Sequence, residues 1–465
     1  MKKNILLIKT ALVLFPSISL FAQTNQDEGF GEEYKHNTSK ENCLTQQQRF
    51  EIISMLQKNV NELKKEGKLN VTARTTNHVL FDWPIKKADH SNFTNVWGIS
   101  NYVDHNPSYP NQVTDFDCGN KTYDTNTGYN HQGTDIYIWP FSWKQVDDGT
   151  AEIVAAAEGT IIGKIDGNYD RNCSFNSSNW NAVYVMHTDG SIAWYGHMKK
   201  NSLTSKPVGS TVSRGEFLGH VGSSGNSTGP HLHFEVYADQ SYTKLIDPYQ
   251  GTCNSLNTDS WWVNQKPHTD GGINLVSTHF AHPQFPTCPT TEIPNFSDRF
   301  SPGDPIFFYT FLKDQVAGST LYYRLYRPDG SIHAQYNQPL NNNYASAYWW
   351  WTRSDLTILG QWKLQFTYNN KTVDHYFYVE TLGTNDMQQK AFKIHPNPTS
   401  DVIKFDTDNT ITQVQILDLT GKLVEEVTSK ESIKEVKLKT LPKGTYIVVA
   451  LDNKGNKFTE KVIRK

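Results

Sequence analysis

The sequence predicts a mostly β protein: an antiparallel-sheet domain, an immunoglobulin-like β-sandwich and a small C-terminal β-sandwich, with one N-terminal helix. The chain has 465 residues, which is more than one domain usually holds. Glycine is frequent, with 30 residues, and aromatic residues make up 12% of the chain. Short β-favouring runs alternate with Gly, Asn, Asp and Ser turns, and only one long stretch has helical spacing.

The charge balance limits the classes of partner. The formal net charge is −3, and the sequence pI is about 6.6. Lysine and arginine residues form no basic stripe. We therefore expect no nucleic-acid partner.

The first 22 residues have the pattern of a secretory signal peptide. Lys2 and Lys3 precede a largely apolar run that ends near Ala22, a small residue suited to cleavage. A membrane anchor is the alternative, but Lys9 and Pro16 interrupt the run. No later run is apolar enough to span a bilayer, so we expect an exported chain without a stable membrane span after signal removal.

Residues 23–78 are expected to form a helical leader or a prosegment. Thr45 and Gln48 have the spacing of a capping box, and the helix should run to Lys68. An apolar stripe follows at helical spacing; it consists of Phe50, Ile52, Ile53, Met55, Leu56, Val60 and Leu63. A packing helix or spacer is the simpler interpretation. The alternative is a prosegment that covers a functional site until it is cleaved.

The five cysteines are widely scattered and include no CxxC pair, so they do not indicate a structural zinc cluster. Disulfide bonds are expected in an exported protein. The pairing does not follow from sequence. Our working guesses are Cys118–Cys173 and Cys253–Cys288, which leave Cys43 as the odd cysteine, in a segment that could be removed.

Two histidine motifs indicate a metal site. His231 and His233 precede a β-favouring run, and alternation along a strand places both side chains on one face. Upstream, His131 and Asp135 are four residues apart in extended sequence and also share a face. His131, Asp135 and His233 supply three ligands and leave a fourth position for water, as in catalytic zinc sites.

A third motif supplies a histidine without a ligand role. His197 follows the short strand predicted at 191–195. An imidazole that titrates near neutrality can transfer a proton or donate a hydrogen bond to a reacting group. Glu235 lies two residues after His233, and alternation places it on the ligand face; we interpret it as a supporting or structural residue.

The remaining histidines are interpreted as structural or surface residues. His105 is expected to be a surface loop histidine. His187 and His220 lie at strand ends beside turns, and His187 is the reserve candidate for the site.

These motifs, HxGxD, YGH and STGPHLHFEV in that order, resemble the lysostaphin/LytM-type zinc metallopeptidases of family M23. The resemblance covers about residues 79–240, and we assign a peptidase domain to 79–260. It implies one Zn²⁺ per catalytic domain, with His131, Asp135 and His233 as ligands and His197 and His231 as catalytic histidines. It also implies a peptidoglycan substrate, cut in its stem peptide or cross-bridge. An Asn- and Ser-rich insertion at 171–180 departs from the family pattern.

Residues 275–380 are predicted to form the immunoglobulin-like β-sandwich. Strands are expected at 306–311, 321–326, 362–366 and 374–379. Trp349, Trp350 and Trp351 are consecutive; packing between core and interface is the simpler interpretation, and stacking on sugar rings is the alternative.

Residues 387–465 resemble the C-terminal sorting domain of type IX secretion systems through the motifs PNP, DLTGKLV and LPKGTYIV. Strands are expected at 414–419 and 446–451. The resemblance implies the type IX secretion machinery as a partner and a secreted or cell-surface location, reached across the outer membrane. An ordinary adhesive β-module is the alternative.

The function we expect is a secreted zinc metalloendopeptidase that hydrolyses peptide bonds, with peptidoglycan or peptide as substrate. Two alternatives stay open. One is a broad-specificity secreted protease, because no specificity pocket is legible in the sequence. The other is a catalytically inactive wall-binding protein, against which the presence of all five site residues argues.

Overall fold

The computed structural model describes residues 29–37, 39–69, 78–381, 392–407, 409–418, 422–453 and 457–465. The predicted signal peptide lies outside the described residues. The chain divides into two units, Met1–Thr381 and Leu382–Lys465. The predicted fold class is confirmed, since antiparallel sheets dominate the described residues.

The chain begins, in its described part, with a strand and a long helix: β1 (Phe30–Glu33) and α1 (Gln46–Lys65). The predicted capping box is confirmed. The backbone N–H of Gln48 donates to the Thr45 hydroxyl at 3.1 Å, and the Thr45 N–H donates to Gln48 Oε1 at 2.9 Å. Both donors would otherwise be unpaired at the helix start.

One face of α1 is buried, at Ile52, Leu56, Val60 and Leu63. Phe50 was expected on this stripe, but its side chain is 65% exposed because it lies on the opposite side of the helix. The buried face packs against side chains such as Tyr184 and Trp194 of the central sheet described next. Within the described residues, no helix has both the length and the apolar character needed to cross a bilayer.

The next region is an antiparallel β domain with one short helix; its elements are β2 (Ile85–Lys87), β3 (Trp97–Asn101), β4 (Thr134–Ile138), α2 (Ser142–Asp148), β5 (Ala151–Val154), β6 (Gly159–Ile165), β7 (Ala182–Met186), β8 (Ile192–Gly196), β9 (Thr211–Val212), β10 (Phe217–His220), β11 (His231–Tyr237) and β12 (Leu245–Ile246). The central sheet has the order β3-β4-β11-β8-β7-β6-β9, and β12 pairs with β11. A smaller sheet has the order β10-β5-β2. The sequence did not predict α2.

The two faces of the central sheet bury different cores. Leu232, Phe234 and Val236 of β11 enter the main core, together with Tyr195 of β8. Tyr237 of β11 faces the core under α1. Because side chains alternate along a strand, His233 and Glu235 lie on the same face as Tyr237, which is the face that α1 covers.

A β-sandwich follows within the same unit; its strands are β13 (Gly272–His279), β14 (Arg299–Phe300), β15 (Ile306–Gln315), β16 (Ser319–Tyr326), β17 (Ile332–Leu340), β18 (Tyr344–Arg353), β19 (Gly360–Tyr368) and β20 (Lys371–Val379). The two sheets have the orders β1-β18-β15-β13 and β14-β20-β19-β16-β17. The strand β1 is therefore an edge strand of a sheet whose other strands come from much later in the chain, and Phe30 lies opposite Trp350.

The consecutive tryptophans lie on β18 and point to alternate faces. Trp351 is buried in the sandwich core, where it stacks on Tyr323. Trp350 stacks on Phe30 of β1, with ring centroids 5.7 Å apart. These contacts favour the packing interpretation over sugar stacking.

The C-terminal unit is a small β-sandwich; its strands are β21 (Lys393–His395), β22 (Val402–Asp406), β23 (Ile411–Leu417), β24 (Leu423–Thr428), β25 (Glu435–Lys437), β26 (Gly444–Asp452) and β27 (Lys457–Arg464). Its sheets have the orders β21-β22-β25 and β24-β23-β26-β27, and all pairs are antiparallel. Buried Val414, Val448 and Val462 belong to its core.

The disulfide bonds are Cys118–Cys253 and Cys173–Cys288. The pairings guessed from sequence were wrong, because each cysteine pairs with one that is distant in the chain and near it only in the fold. Cys173 lies in the 171–180 insertion and joins it to Cys288, which lies between the first two strands of the sandwich, β13 and β14. Cys43 is free and buried.

We predict that Leu56→Ala weakens the packing of α1 on the central sheet. Leu56 is fully buried, so its truncation leaves a cavity and should cost about 2–5 kcal/mol. The free energy of opening of α1, measured by native-state hydrogen exchange, should fall by that amount. The matched control is Phe50→Ala, whose exposed side chain should leave the opening free energy nearly unchanged; equal effects of both variants would contradict the packing described.

Candidate metal centre and active site

Strand register brings the predicted site residues together. In β11, His233 lies opposite Asp135 of β4 on one side and opposite Gly196 of β8 on the other. His197 directly follows Gly196, and His131 lies three residues before the start of β4. The two upstream motifs therefore flank the strand that carries the third.

The three predicted ligands point their nitrogen and oxygen atoms at one another. His131 Nε2 lies 3.1 Å from Asp135 Oδ2, and His233 Nδ1 lies 2.8 Å from Asp135 Oδ1. The outer nitrogen of each imidazole is held by an acceptor. His131 Nδ1 donates to the Tyr102 carbonyl at 2.7 Å, and His233 Nε2 lies 3.1 Å from Glu235 Oε2. Such hydrogen bonds orient metal-binding histidines and select the tautomer.

This donor set fits a tetrahedral metal ion. One donor atom from each of Cys43, His131, Asp135 and His233 lies within 4.8 Å of the others. Zinc bonds of about 2.0–2.3 Å place tetrahedral ligand atoms about 3.3–3.8 Å apart. His131 Nε2 is buried and makes no hydrogen bond within the described residues, although it faces the carboxylate. A buried polar nitrogen without a hydrogen bond is costly, and a metal ion at this point would satisfy it.

The pKa values of Asp135 and His131 also indicate that positive charge stabilises this cluster. Burial alone would raise the pKa of Asp135, but His131 and His233 hold it well below its usual range. Burial alone would lower the pKa of His131, but Asp135 raises it to about 9. The cluster is thus a set of electron-pair donors that is stabilised by cations, whether protons or a metal ion.

His197 and His231 form a second pair beside the ligands. Their ring centroids are 4.4 Å apart. His197 Nδ1 donates to the Ser224 carbonyl at 2.6 Å, and His231 Nδ1 donates to the Gly229 carbonyl at 2.8 Å. The Nε2 atom of each ring is left for the site; that of His231 lies 3.8 Å from Asp135 Oδ1. Burial lowers the pKa of His231 to about 4, and the neighbouring His197 acts in the same direction.

Glu235 links the site to the N-terminal helix. Its carboxylate accepts from His233 on one side, and Arg49 of α1 binds both of its oxygens on the other. Burial alone would raise the pKa of Glu235, but Arg49 and His233 lower it to about 2. The structure thus gives Glu235 the supporting position that strand alternation indicated.

Two residues of the site were missed by sequence reasoning. The sequence did contain a signal for Arg49. It lies three residues before Ile52, so helical spacing places its charge on the apolar stripe of the helix, where a charged residue needs a partner. Cys43 carried no usable signal beyond being unpaired. Its Sγ lies 3.6 Å from His233 Nδ1 and 3.1 Å from the Tyr123 hydroxyl.

The other histidines lie outside the site. His105, expected on the surface, is buried, and its Nε2 lies 2.8 Å from Asp247 Oδ2; the surface assignment was wrong because the loop that carries it folds back against this carboxylate. His187 is buried and its Nδ1 donates to the Glu158 carbonyl. His220 is half-buried.

A cavity of about 900 Å³ adjoins the centre. Asp135, His231 and Gly229 line it, as do Tyr137 and Phe285. Residues of the chain before α1, including His36 and Cys43, also line it. The proposed site residues and the N-terminal part of the chain therefore border the same cavity, which is called the groove below.

Comparison with known proteins identifies two regions of the chain. Residues 129–248 match peptidase family M23, and residues 393–465 match the secretion system C-terminal sorting domain. The first region contains all five predicted site residues. The resemblances inferred from sequence are thereby confirmed.

Curated relatives match over part of their length. The peptidoglycan DD-endopeptidase ShyC of Vibrio cholerae serotype O1 is 33% identical over 105 residues, which is 23% of this chain and 19% of that protein. The DD-carboxypeptidase/endopeptidase Mpg of Neisseria meningitidis serogroup B is 47% identical over 56 residues, 12% of each chain. The chain therefore spans less than a fifth of either relative. Among solved structures, the catalytic domain of the antimicrobial peptidase lysostaphin from Staphylococcus simulans is 25% identical, covers 27% of this chain and 83% of that one, and has a TM-score of 0.20.

We predict that Glu235→Gln lowers the affinity of the centre for zinc by about 10–100-fold, because the carboxylate orients His233 and raises its basicity. Competition with a chromophoric chelator measures this affinity. Glu62→Gln, at an exposed position of α1, is the matched control and should bind zinc like the parent chain. An unchanged affinity in a folded Glu235→Gln variant would show that the carboxylate does not support the ligand.

Proposed function

We propose, from the premise that this chain carries a peptidase family M23 domain and a secretion system C-terminal sorting domain, that it is an exported zinc metalloendopeptidase. The observation that supports this most strongly is the convergence of His131, Asp135 and His233 beside two non-ligand histidines. We further propose peptidoglycan as the substrate, cut in its stem peptides or cross-bridges, because the curated relatives are named as peptidoglycan or DD-endopeptidases.

The proposal assigns the regions in chain order: a signal peptide at 1–22, a leader or prosegment at 23–78, the peptidase at 79–260, the β-sandwich at 275–380 and the sorting domain at 387–465. The type IX machinery would carry the chain to the cell surface or the medium. An exported chain also accounts for two disulfide bonds in one unit.

In the proposed mechanism, His131, Asp135 and His233 hold the zinc ion. When bound, zinc supplies Lewis-acid chemistry: it polarises the scissile carbonyl and activates water near neutral pH. His231 and His197 each present an Nε2 to the reacting groups. One accepts the proton of the attacking water, the other donates a hydrogen bond to the oxyanion, and one later protonates the leaving amine. The backbone carbonyls of Ser224 and Gly229 hold a proton on Nδ1 of each ring, so a neutral ring presents Nε2 as a proton acceptor. The ring that donates to the oxyanion or to the leaving amine does so in its protonated form.

We predict that His131→Ala and His233→Ala lose both zinc and hydrolysis. In the mature protein each substitution removes one of the proposed ligands His131, Asp135 and His233. Zinc content measured by elemental analysis should therefore fall, and so should the release of soluble muropeptides from purified cell walls. A chelator should abolish hydrolysis by the purified mature protein, and added zinc should restore it. His90→Ala, at an exposed histidine outside the site, is the control and should behave like the parent. Full hydrolysis by either ligand variant would overturn the assignment.

Substrate profiling separates the proposal from its alternatives. Muropeptide products should be identified by mass spectrometry, and casein and elastin should be tested at matched enzyme concentration. Rapid cleavage of casein or elastin with no effect on cell walls would favour a broad-specificity protease. If the fully processed chain binds zinc but hydrolyses none of these substrates, the result would favour the wall-binding alternative.

We predict that His197→Ala and His231→Ala keep zinc but lose about 10²–10⁴-fold in kcat, which is the usual contribution of a positioned acid or base. Zinc content and kcat are measured on the same preparation. A variant that lost zinc together with activity would be acting as a ligand, contrary to the role assigned to it.

A further inference from the structure

We infer that Cys43 is a fourth ligand of the metal and holds this peptidase in a latent form. The inference rests on the proposed zinc centre. The N-terminal segment, defined here as residues 29–37 and 39–69, carries Cys43 between β1 and α1. Hydrolysis would begin only after this segment releases the thiolate.

The position of Cys43 is the first support. Its side chain is 4% exposed, and its Sγ belongs to the group of donor atoms that lie within 4.8 Å of one another. The Sγ lies 3.6 Å from His233 Nδ1, and a nitrogen of His131 and a carboxylate oxygen of Asp135 belong to the same group of atoms. The sulfur is therefore placed to act as a fourth donor beside the three proposed ligands, and it would then compete with water for the remaining metal position.

The chemistry of the donor set is the second support. A site with three protein ligands keeps one position for water, whereas a site with four protein ligands is closed. Thiolate is a strong zinc ligand and would exclude water from the remaining position. Cys43 is also the one cysteine outside a disulfide bond, and all five cysteines lie in described residues. Its thiol is thus free to ligate.

Contacts on both sides of Cys43 hold it in place. Before it, β1 pairs with β18 from Phe30 to Glu33. After it, α1 packs on the central sheet, and Arg49 forms its buried ion pair with Glu235. Cys43 lies in the chain between these two anchors, so both of them restrain its position at the metal centre.

Hydrogen bonds also hold the residues on either side of Cys43. Asn226 Nδ2 donates to the Asn42 carbonyl at 2.5 Å, and Lys40 Nζ donates to the Thr122 carbonyl at 3.3 Å. The 171–180 insertion contributes as well, since Gln48 Nε2 donates to the Ser178 carbonyl at 3.0 Å. The insertion that departs from the family pattern thus helps to dock the segment that carries Cys43.

The same segment borders the groove. Lys35, His36 and Lys40 line the same cavity as Asp135 and His231. A peptide that approached His231 along this groove would compete with the segment for space. Movement of the segment would therefore free the metal position and widen the approach to it in one step.

Zinc K-edge absorption on the full-length, unprocessed chain tests the ligand. The parent should show one sulfur neighbour at about 2.3 Å from zinc. Cys43→Ser should retain one zinc ion per chain and lose the sulfur neighbour. In cobalt-substituted protein, the same substitution should remove the thiolate-to-cobalt charge-transfer absorption. Gln47→Ala, an exposed polar residue on α1, is the control and should keep both signals.

Hydrolysis of purified cell walls by the same preparations tests latency. Cys43→Ser and Cys43→Ala should exceed the unprocessed parent by at least about tenfold, because the position that water needs is then open. Zinc bound without a sulfur neighbour in the parent would overturn the ligand assignment. A sulfur neighbour that disappears in Cys43→Ser with no gain in hydrolysis by either variant would overturn latency. Failure of the proposed function itself is distinguishable, since His131→Ala would then bind as much zinc as the parent.

Discussion

The pairing of β11 between β4 and β8 is the constraint on which the rest of the structure depends. Side chains alternate along each strand, so a shift of one residue in either register would turn the site residues to the opposite face. The observed register sets Asp135 and Gly196 on either side of His233. The same strand buries Leu232, Phe234 and Val236 in the main core. Hydrophobic burial on one face therefore holds the polar site in register on the other.

Buried charge connects the metal centre to the helix that covers it. Asp135 and Glu235 are both buried carboxylates, and each is stabilised by neighbours rather than by water. Asp135 is paired with two imidazoles, and Glu235 is paired with His233 and Arg49. The helix α1 thus reaches the site through Arg49 as well as covering the sheet with apolar side chains.

The N-terminal segment joins regions that are distant in sequence. Its strand completes a sheet of the β-sandwich, its helix covers the central sheet of the peptidase region, and Cys43 lies between them at the centre. These contacts show the packing role that the simpler interpretation expected of the helix, and they also supply the means by which a prosegment would cover the site.

The sequence by itself determined the local features of this protein. The alternation of residues 231–237 predicted a strand with its histidines on one face, and the Thr45/Gln48 spacing predicted the start of α1. The spacing of the histidine motifs indicated the ligand set, because metal binding needs particular residue types placed on one face of a strand. The motifs near the end of the chain indicated the sorting domain by resemblance. Only the tertiary structure decided which distant residues meet. Four features depend on contacts between segments far apart in the chain: the disulfide pairing, the burial of His105, the Arg49–Glu235 pair and the position of Cys43. A local sequence pattern carries no information about such contacts.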